Sequence, residues 1–363
     1  MIKLEAETHA KLSPSGAHRW INCPGSIRLC ADIEETTSAA AEEGTFAHHI
    51  AATALEQNVD AMEFLGQTDG VHTVDVDMAD YLQQYLDVVR GFNGKLLVET
   101  RVFADDKDVN GTADAIVSNR KSLHVVDLKY GAGVYVEVEE NPQLMIYALG
   151  ALNATHHMFE TVTMHIVQPR CSEPTHRSFE MPVGDLLFWQ EFVLTPAVRA
   201  TAKKNAELAA GEHCRFCDAK PICPALRQVA TRRTREVFAA KTPPDPKLLT
   251  PEQIGEILET APLVEMWLKS VREHAFAKLT SGTAVPGFKL VHRKSNREWE
   301  DEEMAECAGV PVVRKLMSPS QAEKRIGKKI VAELIAPQKQ CTAMVRSDDK
   351  RDALPLSSPF EAQ

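Results

Sequence analysis

With 363 residues, 44% of them hydrophobic, and a net charge of -10, the chain has material for one large or two moderate cores and the composition of an ordinary folded protein. The acidic balance excludes a protein that coats nucleic acid through bulk positive charge, while leaving room for a local basic surface beside a carboxylate site. No apolar run approaches the roughly 20 residues of a membrane span, and the opening MIKLEAETHAKL lacks the apolar centre of a signal peptide. A cytoplasmic protein with no membrane partner is therefore expected, and its eight cysteines read as thiols or metal ligands in preference to disulfides.

Residues 13–65 read as two helices. Ser13 or Ser15 can cap the first, and Glu42 to Glu56 carries apolar residues at helical spacing for the second. His48 and His49 point about 100° apart on that helix, so only one of them faces what it packs on. Residues 66–95 read as a loop and an amphipathic helix. Three runs rich in Val, Ile and Leu follow, Leu96 to Phe103, Thr112 to Val117 and Leu123 to Tyr130, separated by short polar turns. That pattern predicts a three-stranded antiparallel meander. Asn141 is then placed to cap a helix that starts at Pro142 and sets Gln143 and Tyr147 four apart on one face.

The meander carries charge where a plain hydrophobic sheet would not. Asp114 interrupts the second run; Asp127 and Lys129 close the third and, at period two, share one face of their strand. Two carboxylates and an ammonium at neighbouring strand ends are costly to bury unless a cation compensates, and a divalent ion does so. A surface salt bridge is the ordinary alternative. Glu99, with Val98 and Thr100 facing the other way, either joins the aspartates or is an exposed strand residue.

The helix after Pro142 is expected to continue to about Ala154. Thr161 to Gln168 reads as a fourth strand followed by Pro169 and Arg170, the latter either phosphate-facing or a surface residue. Asp185 to Leu208 reads as a long helix interrupted at Pro196. Next, Cys214, Cys217 and Cys223 offer three thiols at gaps of two and five residues, which a short loop can wrap round one cluster if a fourth thiolate comes from elsewhere. Zinc is served by the same four sulfurs, and spacing alone does not separate the two. Cys171, Cys307 and Cys341 stand singly and read as packing thiols. Arg227 to Arg235, His292 to Arg297 and Lys324 to Lys329 are basic stretches that either face DNA or are solvated.

Residues 241–250 form a proline-rich linker. Thr250 and Gln253 make a capping box for one helix, Ala261 to Leu279 makes another, 286–300 suggests a short hairpin, and a further helix runs from Ser318 to Ile335. Residues 251–345 thus read as a small, mostly helical appendage and 346–363 as a flexible tail. The chain has no Gly-x-x-x-x-Gly-Lys-Ser/Thr phosphate loop, so no helicase motor is expected.

The order Asp114, then Asp127-Leu128-Lys129, then Gln143 and Tyr147 resembles the PD-(D/E)XK nuclease superfamily, and its RecB-like branch in particular. Gly44-Thr45-Phe46-Ala47-His48 matches that branch's Gly-Thr-x-x-His helix, and Ser13-Pro14-Ser15 through Trp20-Ile21-Asn22-Cys23-Pro24 matches its Ser-x-Ser and aromatic-to-Cys-Pro opening. Within that branch the chain resembles the phage and prophage proteins. The resemblance implies an α/β restriction-endonuclease-like core, a mixed central sheet flanked by helices, over residues 1–240. It also implies Mg²⁺ or Mn²⁺ held by His48, Asp114, Asp127 and the Leu128 carbonyl, with Lys129 orienting or activating water and with Gln143 and Tyr147 supporting the site and the DNA backbone. A [4Fe-4S] cluster on Cys23, Cys214, Cys217 and Cys223 is implied as a staple; Cys30, which lacks the following proline, is the competing first ligand. The function so implied is a metal-dependent DNA exonuclease acting on ends in phage recombination or DNA processing, with DNA and a phage single-strand annealing protein as partners. The rival is a noncatalytic DNA-end-binding or protein-interaction module that retains the fold, against which the intact set Asp114, Asp127, Lys129, Gln143 and Tyr147 argues.

Overall fold

Ser13 Oγ accepts the Gly16 N–H at 3.3 Å and opens a short 3-10 turn, from which the chain enters α1 (Ala17–Asn22) and α2 (Ser26–Leu29). The structure, a computed structural model, describes residues 10–33, 39–104, 108–132, 134–155, 159–171, 174–237 and 249–291. In α3 (Ala39–Gln57) the buried residues Phe46, Ala47, Ile50, Ala51, Ala54 and Leu55 recur at helical spacing and form one apolar stripe. Asp75 Oδ1 accepts the Met78 N–H at 2.7 Å and caps α4 (Val76–Arg90), which packs beside α3.

The predicted meander forms as β1 (Lys95–Phe103), β2 (Asn110–Ser118) and β3 (Leu123–Leu128), antiparallel throughout. Asn141 Oδ1 takes the Gln143 N–H at 3.0 Å and caps α5 (Pro142–Thr155). This helix crosses the sheet and returns the chain to β4 (Thr161–Val167), which pairs parallel to β3, as a crossover helix allows. The antiparallel β5 (His176–Pro182) completes a five-stranded mixed sheet in the order β1-β2-β3-β4-β5.

Strand alternation splits the apolar residues between two cores. Ile116, Val125 and Ile166 face α5, whereas Val117, Val126 and Val167 face α3 and α4. The α5 side is packed so closely that a Cβ on Gly150 would lie 2.6 Å from Val102 Cβ. On the α3/α4 side a row of imidazoles, His124, His165 and His176, crosses β3 to β5 with two N···N contacts of 3.1 Å, so that buried His165 is satisfied at both ring nitrogens.

Three expectations are corrected. β5 was absent from the sequence reading because it is an edge strand in which only Arg177 and Met181 are buried, so its polar residues hide the alternation. The helix expected over Asp185–Leu208 is instead α6 (Val183–Trp189), a π turn at Gln190–Leu194 and α7 (Thr195–Thr201), which follow one another without a break and end short of Leu208; Pro196 lies just after the π turn. After α8 (Pro224–Val237), the two helices expected on either side of Pro262 are one, α9 (Pro251–Thr280), opened by the predicted capping box of Thr250 and Gln253. Pro262 deletes a single N–H, and the helix runs through it.

Residues 1–290 make one compact unit and 291–363 a second. The segments predicted beyond 291, including His292 to Arg297, Cys307, Lys324 to Lys329, Cys341, the helix from Ser318 and the tail, lie outside the described residues, as do 241–248 of the linker.

Candidate metal centre

The β2–β3 ladder runs from Ser118↔Leu123 to Ala115↔Val126 and stops there. Just past its end Asp114 turns into the space: Oδ2 accepts the Leu128 N–H at 2.6 Å, and Oδ1 lies 3.2 Å from His48 Nδ1 on α3. On the other side of β2 the pairing passes from Val98↔Ala115 to Thr100↔Ala113, omitting Glu99, whose φ of 41° is left-handed. For a glutamate that conformation costs on the order of 1 kcal/mol or more and persists only where its surroundings hold it. Extending the registers by one residue sets Glu99 opposite Asp114 and Asp114 opposite Asp127, a row of carboxylates across three strands. Ligand atoms of His48, Glu99 and Asp114 all lie within 4.8 Å of one another.

Asp127 is 2% exposed. Its Oδ2 is 2.8 Å from Lys129 Nζ, an ion-pair contact. Its Oδ1 accepts from Gln143 Nε2 at 3.2 Å, and Gln143 Oε1 accepts from Lys129 Nζ at 2.9 Å. The amide thus turns its oxygen to the cation and its nitrogen to the anion, and the same nitrogen reaches Tyr147 OH at 3.3 Å.

The charges are mutually dependent. Burial pushes the Asp127 carboxyl up, and Asp114 adds to this against the pull of Lys129, so Asp127 lies above the ordinary carboxylate range. Burial acts on Asp114 in the same direction, but His48, Lys129 and the Leu128 N–H outweigh it and hold Asp114 low. Burial lowers His48, yet the facing Asp114, with Asp127 and Glu99 behind it, raises it to about 9. Burial also lifts the Tyr147 hydroxyl far above its ordinary value.

A second constellation lies where α1 and α2 meet residues 208–226. Cys23, Cys214, Cys217 and Cys223, all buried free thiols, line one small cavity with Arg19, His213 and Lys220. Backbone N–H groups point at three of the sulfurs: Ala209 at Cys23 (3.4 Å), Gly211 at Cys214 (3.5 Å) and Leu226 at Cys223 (3.5 Å). Hydrogen bonds with Cys214 and Cys23 raise His213 to about 10, and its Nε2 is 2.9 Å from the Ala209 carbonyl oxygen. Cys23 is held below its ordinary value: burial raises it, and His213 with the Ala209 N–H overrides that.

Residues 9–352 match the profile of a family described as "Protein of unknown function (DUF2800)". The chain belongs to this family. Among solved structures, "Crystal structure of SSO0001" aligns at 14% identity over 61% of this chain and 89% of that chain, with a TM-score of 0.28, too low to bear on fold or chemistry. No helix among the described residues is long and apolar enough to cross a membrane.

In this DUF2800 member, Asp127, Lys129, Gln143 and Tyr147 form one connected set beside the His48–Asp114 pair, and His48 is the member of the histidine pair that meets Asp114. Leu128 meets Asp114 through its N–H. Glu99, left open by strand parity, belongs with His48 and Asp114; its left-handed backbone is invisible in the sequence. Arg170 is engaged, 2.9 Å from Glu43 and stacked 4.8 Å over Tyr130. His213 was missed, although its place directly before Cys214 was a signal.

Proposed function

We propose that the protein is a metal-dependent nuclease of the PD-(D/E)XK, RecB-like kind, an exonuclease acting on DNA ends in phage recombination or DNA processing. The observation that carries the reading is the buried Asp127–Lys129 pair, fixed by Gln143, next to the His48–Glu99–Asp114 set. Such a pair is a poor stabilising device, because desolvation offsets its attraction, so its burial argues for a chemical use.

The donor chemistry fits Mg²⁺ or Mn²⁺: carboxylate oxygens and one imidazole. His48, Glu99 and Asp114 would hold the ion, with Asp127 adjoining. When bound, it supplies Lewis acidity and lowers the pKa of coordinated water. Lys129 orients the attacking water from its place between Asp127 and Gln143. Gln143 keeps that ammonium from swinging away, and Tyr147 fixes Gln143.

The cysteine cavity, with four thiols on one small space, fits the [4Fe-4S] cluster that the resemblance implies, and zinc is served by the same four sulfurs. Hydrogen bonds to cluster thiolates are a recurrent feature of iron–sulfur ligation, and three of these sulfurs face N–H donors. The cluster would tie the Cys23-Pro24 turn to residues 209–223. DNA and a phage single-strand annealing protein are the partners this reading entails.

End-labelled DNA incubated with the purified protein tests it. Shortening from the ends with Mn²⁺, abolished by EDTA, is expected. Intact DNA under every divalent ion, with binding to ends retained, would establish the noncatalytic rival.

A further inference from the structure

Cys30 remains outside the four-thiol set, and its surroundings are not those of a packing residue. Its sulfur lies 3.8 Å from the Cys217 sulfur, van der Waals contact for two sulfurs, and Arg19 Nη1 donates to it at 3.2 Å. The two cysteines are remote in sequence: Cys30 ends α2, and Cys217 follows the turn at Glu212–Phe216. Cys217 is buried, whereas Cys30 is partly exposed, so a small oxidant reaches the pair through Cys30.

We propose that Cys30 and Cys217 form a peroxide-sensitive pair that closes into a disulfide. A disulfide bond is about 2.05 Å long, so the sulfurs must approach by roughly 1.8 Å, which side-chain rotation supplies. The Cys30 sulfur attacks one peroxide oxygen; an S–O bond forms, the O–O bond breaks, and the departing hydroxide takes up the Cys30 proton as water. The Cys217 sulfur then attacks the Cys30 sulfenic acid, the S–S bond forms, the S–O bond breaks, and the departing hydroxide takes up the Cys217 proton as water. Two thiols lose two electrons, and the peroxide becomes two waters.

The consequence for the cavity is exclusive. A sulfur in a disulfide is no longer a thiolate ligand, so oxidation of the pair and metal on Cys217 cannot coexist. The inference goes beyond the nuclease reading and depends neither on activity nor on which metal the thiols hold.

The test uses the full-length protein. Iron and zinc are quantified, metal is removed with a chelator, and the chain is treated with a few equivalents of hydrogen peroxide, alkylated and mapped by non-reducing peptide mass spectrometry. A linked peptide joining Cys30 to Cys217, two hydrogens lighter than its parts and released by dithiothreitol, is expected. It disappears in Cys30→Ser, and its formation blocks metal reloading until reduction. Both thiols still alkylatable after peroxide, or Cys217 linked chiefly to Cys214 or Cys223, overturns the proposal. Because the wild-type map decides between these outcomes, a poorly folding variant does not leave the question open.

Discussion

His48 Nδ1 on α3 and Asp114 Oδ1 on β2 lie 3.2 Å apart, bridging a helix and a strand that share no hydrogen-bonded ladder. Burial lowers His48, but Asp114 more than restores it, to about 9, so in the free protein the pair is an imidazolium facing a carboxylate. A group whose pKa rises on folding stabilises the fold fully below its unfolded value near 6.5, and that contribution is lost as pH climbs through about 9. Metal requires the same imidazole as a lone-pair donor, so binding must expel its proton. Mn²⁺ affinity should therefore rise between pH 6.5 and 8.5, towards the limit of about tenfold per unit for one displaced proton. Calorimetry in buffers of different ionisation heat measures both affinity and proton release. A pH-independent affinity with no proton release, or the same slope in His48→Asn, would remove His48 from the site.

Asp127→Ala and Lys129→Ala should each lower DNA degradation by several orders of magnitude while leaving a folded protein, since both groups adjoin the metal set. Their stabilities should differ. Removing Lys129 leaves a carboxylate that is 2% exposed without its cation, for a cost of about 3 kcal/mol, while removing Asp127 leaves an ammonium with a path to solvent. Chemical denaturation alongside the assay separates the effects. Either variant folded and near-normal in activity would show the pair to be structural.

Part of this site can be read directly from the chain. Period two puts Asp127 and Lys129 on one strand face, and Asn141-Pro142 fixes the phase of α5, so Gln143 and Tyr147 fall one helical turn apart as expected. Those relations are local, and local geometry is what spacing encodes. The join of His48 to Asp114 was legible only through a motif resemblance, because α3 reaches β2 by tertiary packing. Glu99 was undecidable by parity, since its left-handed backbone breaks the alternation on which parity rests. β5 and the continuity of α9 were lost for a related reason: an edge strand need not alternate cleanly, and one proline reads as a stop unless the rest of the helix outweighs it.

Gln143→Glu tests whether the amide acts as a neutral clamp. In the native protein it gives Nε2 to Asp127 and Oε1 to Lys129. A glutamate keeps the second contact but sets a carboxylate about where Nε2 stood, 3.2 Å from Asp127 Oδ1. Asp127, already raised by burial and by Asp114, is pushed higher still, so the activity profile should shift to higher pH, with a neutral-pH rate lower than that of Gln143→Ala. Rates of the two variants from pH 6 to 9 provide the comparison, and superimposable profiles would count against the clamp.

Gly25→Ala probes the coupling between the N-terminal turn and the cysteine cavity. Gly25 has φ -65°, which any residue adopts, so backbone conformation does not explain the glycine. Space does: an added Cβ would lie 2.7 Å from the Ala206 carbonyl oxygen and 2.8 Å from that of Glu207, which accepts the Gly25 N–H at 2.8 Å. Both obstacles are backbone, so the alanine must push the 206–209 segment away from Cys23, and with it the Ala209 N–H that points at the Cys23 sulfur. Crowding of this kind costs about 1–3 kcal/mol. The loss should appear as a lower melting temperature together with substoichiometric metal on the thiols, while Mn²⁺ affinity at the distant His48–Glu99–Asp114 set changes little. Gly184→Ala, on α6 with nothing within 4 Å of the new methyl, is the matched control: it should leave the metal content unchanged and should not lower the melting temperature. A Gly25→Ala protein with full metal content and an unchanged melting temperature would mean that this turn does not hold the cavity together.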